Sequence, residues 1–219
     1  MLLSNPAARR DEATALEYLR IINTVGRDGA HVVSRLRDFY RPREAGDMFE
    51  KLDLNEIISQ SLALARPRCA KREIDHGIRF ETDLDDSATI AGIGAELREV
   101  LTNLIFNAVD ATPPDGVITL RTKQQDDKVV VEVVDTGVGM SPDVRQRCLE
   151  PFFTTKGDHG TGLGLAMVFG IIKRHQGTLQ IDSQLGKGTT FRIRLPAYRE
   201  FAETELNNVP YVAACPKAA

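Results

Sequence analysis

Tryptophan is missing from the 219 residues, aromatic side chains make up only 6%, and neither charge sign prevails: Lys+Arg 28 stand against Asp+Glu 31, a net charge of -3. Neither a basic surface for nucleic acid nor a disordered acidic tail dominates such a chain, so nucleic acid is not an expected partner. The 3 cysteines, Cys69, Cys148 and Cys215, are scattered without a CxxC spacing and read as reduced thiols, neither a disulfide frame nor a zinc site. Long apolar runs are also lacking. Stretches such as Leu163 to Ile172 fall short of the ~20 residues a membrane span needs, and the first residues carry no signal-peptide pattern. A cytoplasmic chain without membrane contact is expected. What is present is 42% hydrophobic residues, enough for one medium domain and an accessory element.

From Asp11 to about Arg41 no proline occurs, and Ile22, Val25, Gly29, Val32, Leu36 and Phe39 recur in alternating steps of three and four. The pattern predicts one long helix with a heptad-like stripe, ended by the Pro42 region. The stripe either lies on the domain as an ordinary amphipathic helix or packs into a bundle that dimerises. Arg43 to Lys51 reads as a short linker. Asp53 is placed to cap a helix from Leu54 to Ala65 that stops before Pro67. Strand-like runs follow at Ile78 to Leu84 and Thr89 to Ala91, then a helix from about Gly94 to Ala111 and a Pro113 to Gly116 turn. Two alternating strands come next, Val117 to Lys123 and Lys128 to Val134. A helix near Ser141, a Gly-rich loop from Gly157 to Gly164, a helix to about Arg174, and strands Thr178 to Ser183 and Thr189 to Leu195 complete the series. Helices inserted between antiparallel strands predict an α+β two-layer sandwich. Residues past Pro196 lack periodicity and read as a linker or disordered tail.

Three segments carry chemistry. On the Gly94 to Ala111 helix, Leu97, Val100, Leu101, Leu104, Ile105 and Ala108 form the apolar stripe, leaving Glu99, Asn103 and Asn107 along another ridge. An amide oxygen there is either part of a solvated polar face or a hard ligand suited to Mg²⁺. The strand Val129 to Val134 runs into Asp135, with Gly137 and Gly139 behind it. A carboxylate at a strand end beside an apolar pocket can accept a hydrogen bond from an exocyclic amine, the group that distinguishes adenine; a plain strand-to-helix turn reads the same way. Asp-Thr-Gly also occurs in aspartic proteases, but that chemistry needs paired carboxylates and no second such motif is present. Finally, Gly160, Thr161, Gly162, Leu163 and Gly164 open an apolar helix, so their backbone N–H groups can cradle an anion. No Lys-Ser/Thr follows, which rules out a Walker loop. Glu150 to Lys156 precedes it, with Phe152 and Phe153 as apolar anchors and Lys156 as a cation, in the manner either of a mobile lid or of a loop docked by its two phenylalanines.

In this order, Asn103 to Asn107, Asp135 to Gly139, Glu150 to Lys156, Gly160 to Gly164 and Gly186 to Phe191 resemble the N, G1, F and G2 boxes and final strand of sensor histidine kinases. The resemblance covers about Asp11 to Pro196 and implies the Bergerat ATP-binding fold shared with DNA gyrase, preceded by a long dimerisation-type helix. It further implies that Asn107 holds Mg²⁺ bridging the phosphates of ATP and that Asp135 binds the adenine amine. Gly137 and Gly139 would shape the adenine pocket, Gly160, Gly162 and Gly164 cradle phosphate, and Lys156 neutralise it. Thr189 would support Asp135 and adenine, and Phe152 and Phe153 anchor the lid. Related ATPases place a glutamate general base where this chain has Asn103; an amide cannot take a proton from water, so phosphoryl transfer is favoured over hydrolysis.

The implied organisation is 1–43 as a partial dimerisation hairpin, mostly its second helix, 44–52 as linker, 53–196 as ATP-binding catalytic domain and 197–219 as linker or tail. Implied partners are a second copy through the N-terminal helix and the receiver domain of a response regulator. The acceptor histidine of such kinases is followed by an acidic residue, whereas His31 is followed by Val32, Val33, Ser34 and Arg35. The acceptor is therefore expected outside this chain, which alone would not autophosphorylate. His159 lies in the lid, as a solvated loop residue or a phosphate contact. His76 and His175 are expected at the surface near element ends. The alternative of a different class is a nucleotide-gated binding or scaffold module that holds ATP without kinase activity.

Overall fold

The structure is a computed structural model and describes residues 15–23, 48–157 and 160–199. Residues 15–23 are helical (α1), and the order continues β1 (Glu50–Asp53), α2 (Leu54–His76), β2 (Arg79–Asp83), β3 (Thr89–Gly92), α3 (Gly94–Ala111), β4 (Val117–Gln125), β5 (Lys128–Asp135), α4 (Pro142–Arg147), α5 (Gly164–Arg174), β6 (Thr178–Gln184) and β7 (Gly188–Pro196). By its own contacts the chain divides into two units, 1–43 with 148–167, and 44–147 with 168–219.

In the second unit, alternation of apolar and polar residues drives the sheet. Five strands pair in the order β2-β4-β5-β7-β6, parallel between β2 and β4 and antiparallel elsewhere. Directly paired residues share a face, so Leu120, Val133 and Phe191 form one buried row and Thr122, Val131 and Ile193 the next. Residues one position along point the other way. There Asp83, Arg121, Glu132, Arg192 and Asp182 alternate in sign across all five strands, in contact from one to the next. Helices α2 and α3 pack on each other and α3 on β5, with Leu97, Val100, Leu101, Leu104, Ile105 and Ala108 buried as the stripe predicts.

The reading fails at four places. The helix expected to stop before Pro67 runs on to His76. Proline removes one N–H, and so one bond to the carbonyl four residues back, but the helix is already built on buried Leu54, Ile57, Ile58 and Ala65 before that point is reached. Asp53 does cap it, accepting the Asn55 N–H at 2.9 Å. Secondly, the expected linker ends in a strand: β1 pairs antiparallel with β3, Lys51 opposite Ala91. Thirdly, the chain past Pro196 stays bonded, the N–H of Ala197 to Asp127 and that of Tyr198 to Thr89, both at 2.8 Å. Lastly, His175 is buried, at 2% exposure.

The stripe expected from Val25 to Phe39, His31, His159 and residues 200–219 lie outside the described residues. Among the described residues no helix is long and apolar enough to cross a membrane.

Candidate functional site

Asp135 takes an inward-facing position at the last residue of β5, paired with Ile118 on one side and Thr189 on the other, and is 4% exposed. A carboxylate in a core row needs donors. Two backbone N–H groups supply them, Gly137 at 2.8 Å and Thr189 at 3.2 Å, and both go to Oδ1. Oδ2 is left as an acceptor with no partner among the described residues. Burial pushes the carboxyl above its ordinary value, and the two N–H bonds offset only part of that.

Backbone packs closely behind the carboxylate. A Cβ on Gly137 would stand 2.5 Å from Asp135 Oδ1 and 2.7 Å from the Ala111 carbonyl, and one on Gly139, whose φ is +65, would stand 2.0 Å from the Gln184 carbonyl. Only glycine permits so close an approach of backbone. The N–H of Val138 binds the Ala111 carbonyl at 3.0 Å, tying the loop to the end of α3, and the N–H of Gly186 binds the Val138 carbonyl at 2.7 Å. Thr189 was expected to support Asp135; its backbone N–H does so, while its hydroxyl pairs with Ser183 at 3.0 Å. Ser183 went unnoticed in the sequence. It also accepts the Met140 N–H and donates to the Gly188 carbonyl, joining the glycine loop to β6 and β7. Its signal was available, as the third inward residue after Leu179 and Ile181 in an otherwise apolar row.

Asn103 and Asn107 are half-buried on α3, one turn apart. No group of three or more His, Cys, Asp or Glu converges on a metal position among the described residues. A cation held by the Asn107 amide oxygen would take its remaining oxygens from phosphate and water, the coordination Mg²⁺ prefers.

In the first unit, the glycine loop closes on the backbone of the phenylalanine segment. The N–H of Phe152 donates to the Gly162 carbonyl at 3.0 Å, Phe152 has a φ of 67, and a Cβ on Gly162 would lie 2.3 Å from the carbonyl carbon of Phe152. The Phe152 ring, expected as an anchor, is 59% exposed. Its backbone makes the attachment instead, through the bond to the Gly162 carbonyl. Phe153 is half-buried, Leu163 is fully buried, and Thr161 and Lys156 are exposed. Thr154 Oγ1 accepts the Lys156 N–H at 3.1 Å and would sit 2.2 Å from a Cβ on Gly160. Gly164 begins α5.

Residues 92–199 match the family described as histidine kinase-, DNA gyrase B-, and HSP90-like ATPase. The chain is 39% identical over 180 residues to sensor kinase CckA of Brucella abortus (strain 2308), covering 75% of this chain and 18% of that protein. It is 38% identical over 165 residues to sensor histidine kinase ZraS of Escherichia coli (strain K12), covering 75% of this chain and 34% of that one. It thus spans about a third or less of the curated relatives it matches. Among solved structures, the mycobacterial sensor histidine kinase MprB is similar at a TM-score of 0.59 and 30% identity, over 68% of this chain and 97% of that one.

Proposed function

The chain belongs to the histidine kinase family, and on that premise we propose that it binds Mg-ATP and passes the γ-phosphoryl group to a histidine of a separate acceptor hairpin, for relay to a response-regulator aspartate. The observation that carries the reading is Asp135: a buried carboxylate at the end of β5 whose Oδ1 is fixed by two backbone donors and whose Oδ2 has no partner among the described residues. A fixed, largely buried acceptor selects a base bearing an exocyclic amine, because a ligand without that donor would cover the oxygen and leave it unpaired.

Asn107 would hold the Mg²⁺, which when bound spreads the negative charge of the phosphates. Backbone N–H groups of Gly160, Thr161, Gly162, Leu163 and Gly164 would receive phosphate oxygens, with Lys156 adding a cation. In the transfer the acceptor imidazole nitrogen forms a bond to the γ-phosphorus as the bond to the bridging oxygen of ADP breaks. Asn103, unable to take a proton from water, leaves the imidazole as the competent nucleophile. The domain assignment, with 53–196 as catalytic unit, a cytoplasmic setting and pairing of two copies through 1–43, belongs to the same proposal. Exposure of Leu16, Leu19, Ile21 and Ile22 on α1 supports the pairing.

The test uses γ-labelled ATP, Mg²⁺ and a purified acceptor hairpin in trans. Bound nucleotide with acid-labile, alkali-stable label on the hairpin is the expected result. Asp135→Ala and Asn107→Ala are each expected to weaken binding on the order of tenfold or more. Unchanged affinity in both variants would remove these residues from the site, and sustained binding without transfer would make the protein a nucleotide-gated binding module.

A further inference from the structure

His175 is buried and both ring nitrogens are engaged. The N–H of Ile93, which caps α3, donates to Nε2 at 3.0 Å, and Nδ1 lies 2.9 Å from the Ile171 carbonyl. A backbone N–H only donates and a carbonyl only accepts, so Nε2 carries the lone pair and Nδ1 the proton. One neutral tautomer satisfies both. Phe49 stacks on the ring at 4.9 Å, and a Cβ on Gly92 would come within 3.0 Å of its Cδ2. Ile93 offers no side chain to cap α3. His175 reaches that point from 82 residues along the chain.

Beside the ring is a second unused group. Glu96, in the first turn of α3, accepts from Arg174 on Oε1 at 2.9 Å, while its Oε2 is buried without a hydrogen-bond partner and lies 3.7 Å from His175 Nδ1. The other charges at this helix start are Arg98 and Glu50, whose Nη1 and Oε1 would stand 3.2 Å and 3.5 Å from a Cβ on Gly94. A buried carboxylate oxygen left unpaired is costly unless another state of the protein uses it.

We propose that His175 is a positioning residue that holds the start of α3, and through it Asn107, and that proton uptake at Nε2 releases this hold. A proton from solvent takes the Nε2 lone pair, the new N–H then faces the N–H of Ile93, and that bond is lost. The imidazolium turns its Nδ1–H from the Ile171 carbonyl to Glu96 Oε2. Nucleotide affinity thereby falls in acid. The inference rests on α3 presenting Asn107 to nucleotide, so its test carries one readout that needs no nucleotide.

Mg-ADP affinity is measured for the full chain, His175→Gln and Glu96→Gln between about pH 8 and about pH 5.5, the range in which imidazole titrates. In His175→Gln the introduced amide oxygen still accepts from Ile93 but takes no proton. Taking the ratio of wild type to His175→Gln at each pH cancels the titration of the ligand itself. The ratio is expected near one at the upper end and lowered about tenfold at the lower end. Glu96→Gln, lacking the charge that receives the imidazolium, shifts the fall to lower pH. Parallel pH curves for wild type and His175→Gln would overturn the proposal. Independently, the protection factor of the Ile93 amide, the intrinsic exchange rate at each pH divided by the observed one, is expected to fall in acid in the wild type and to stay high in His175→Gln. An Ile93 protection factor insensitive to pH, or a proton on Nε2 at neutral pH, would overturn the proposal even if nucleotide binds. If the Ile93 response appears while no nucleotide binds at any pH, the nucleotide reading fails and the hold on α3 stands.

Discussion

At the scale of single residues, the burial of Asp135 sets stability against the binding proposed for it. Burial raises its carboxyl above the ordinary 3.8, so between that value and the folded one the native state holds the extra proton. Stability therefore declines as pH rises through this window and remains lower at neutral pH. Asp135→Asn keeps an oxygen for the Gly137 and Thr189 N–H groups and removes the charge. Its melting temperature without ligand is expected to exceed that of the wild type at neutral pH by on the order of 2 °C, the gap closing below about pH 4. Calorimetry across pH checks this. The same variant turns its NH₂ toward the exocyclic amine, donor to donor, and Mg-ATP affinity is expected to fall about tenfold or more by titration calorimetry. Asn103 carries the complementary prediction. Asn103→Glu supplies a group able to take a proton from water, and steady-state ADP release without an acceptor is expected to rise about tenfold or more.

At the scale of elements, α2 and the outer face of the sheet show packing overriding local preference. Leu54, Ile57, Ile58 and Ala65 hold the first half of α2 in place, and the helix continues through Pro67. Pro67→Ala restores an N–H to the ladder, so urea unfolding is expected to show a gain of about 1 kcal/mol or more. A helix that really ended at Arg66 would show no gain. On the outer face, Asp83, Arg121, Glu132, Arg192 and Asp182 answer one another across five strands. Each exposed pair contributes little alone, and the alternation keeps this face polar and opposes wrong strand pairing.

At the scale of the whole molecule, pairing at both ends decides where the folded domain begins and ends. The sequence reading set it at 53–196, but β3 is bonded on one side to β1 and through Ile90 to Ala197, and Phe49 covers His175. Cutting to 53–196 exposes Ile90, which is fully buried. A 48–199 fragment is expected to exceed 53–196 in unfolding free energy by on the order of 3 kcal/mol in urea. Equal stability of the two would mean that β1 and Tyr198 only decorate the domain. Boundaries drawn through a strand would also blunt any nucleotide measurement made on the shorter fragment, because Ile93 alone separates β3 from α3.

Alternation and helical periodicity are local, so the sequence by itself determined α3, observed at Gly94–Ala111, and the main body of β4, β5, β6 and β7. The site motifs were legible for the same reason: Asp135 with its glycines and the Gly160 to Gly164 loop are each contiguous. Tertiary structure alone decided what joins distant segments. Glu50 finds Gly92 across the sheet, Thr189 reaches Asp135 over 54 residues, Ser183 ties loop to strand, and His175 meets the start of α3. A four-residue strand, a serine and a histidine near a helix end carry no periodicity of their own. Their roles come from pairing and burial that appear only when the sheet and helices have assembled.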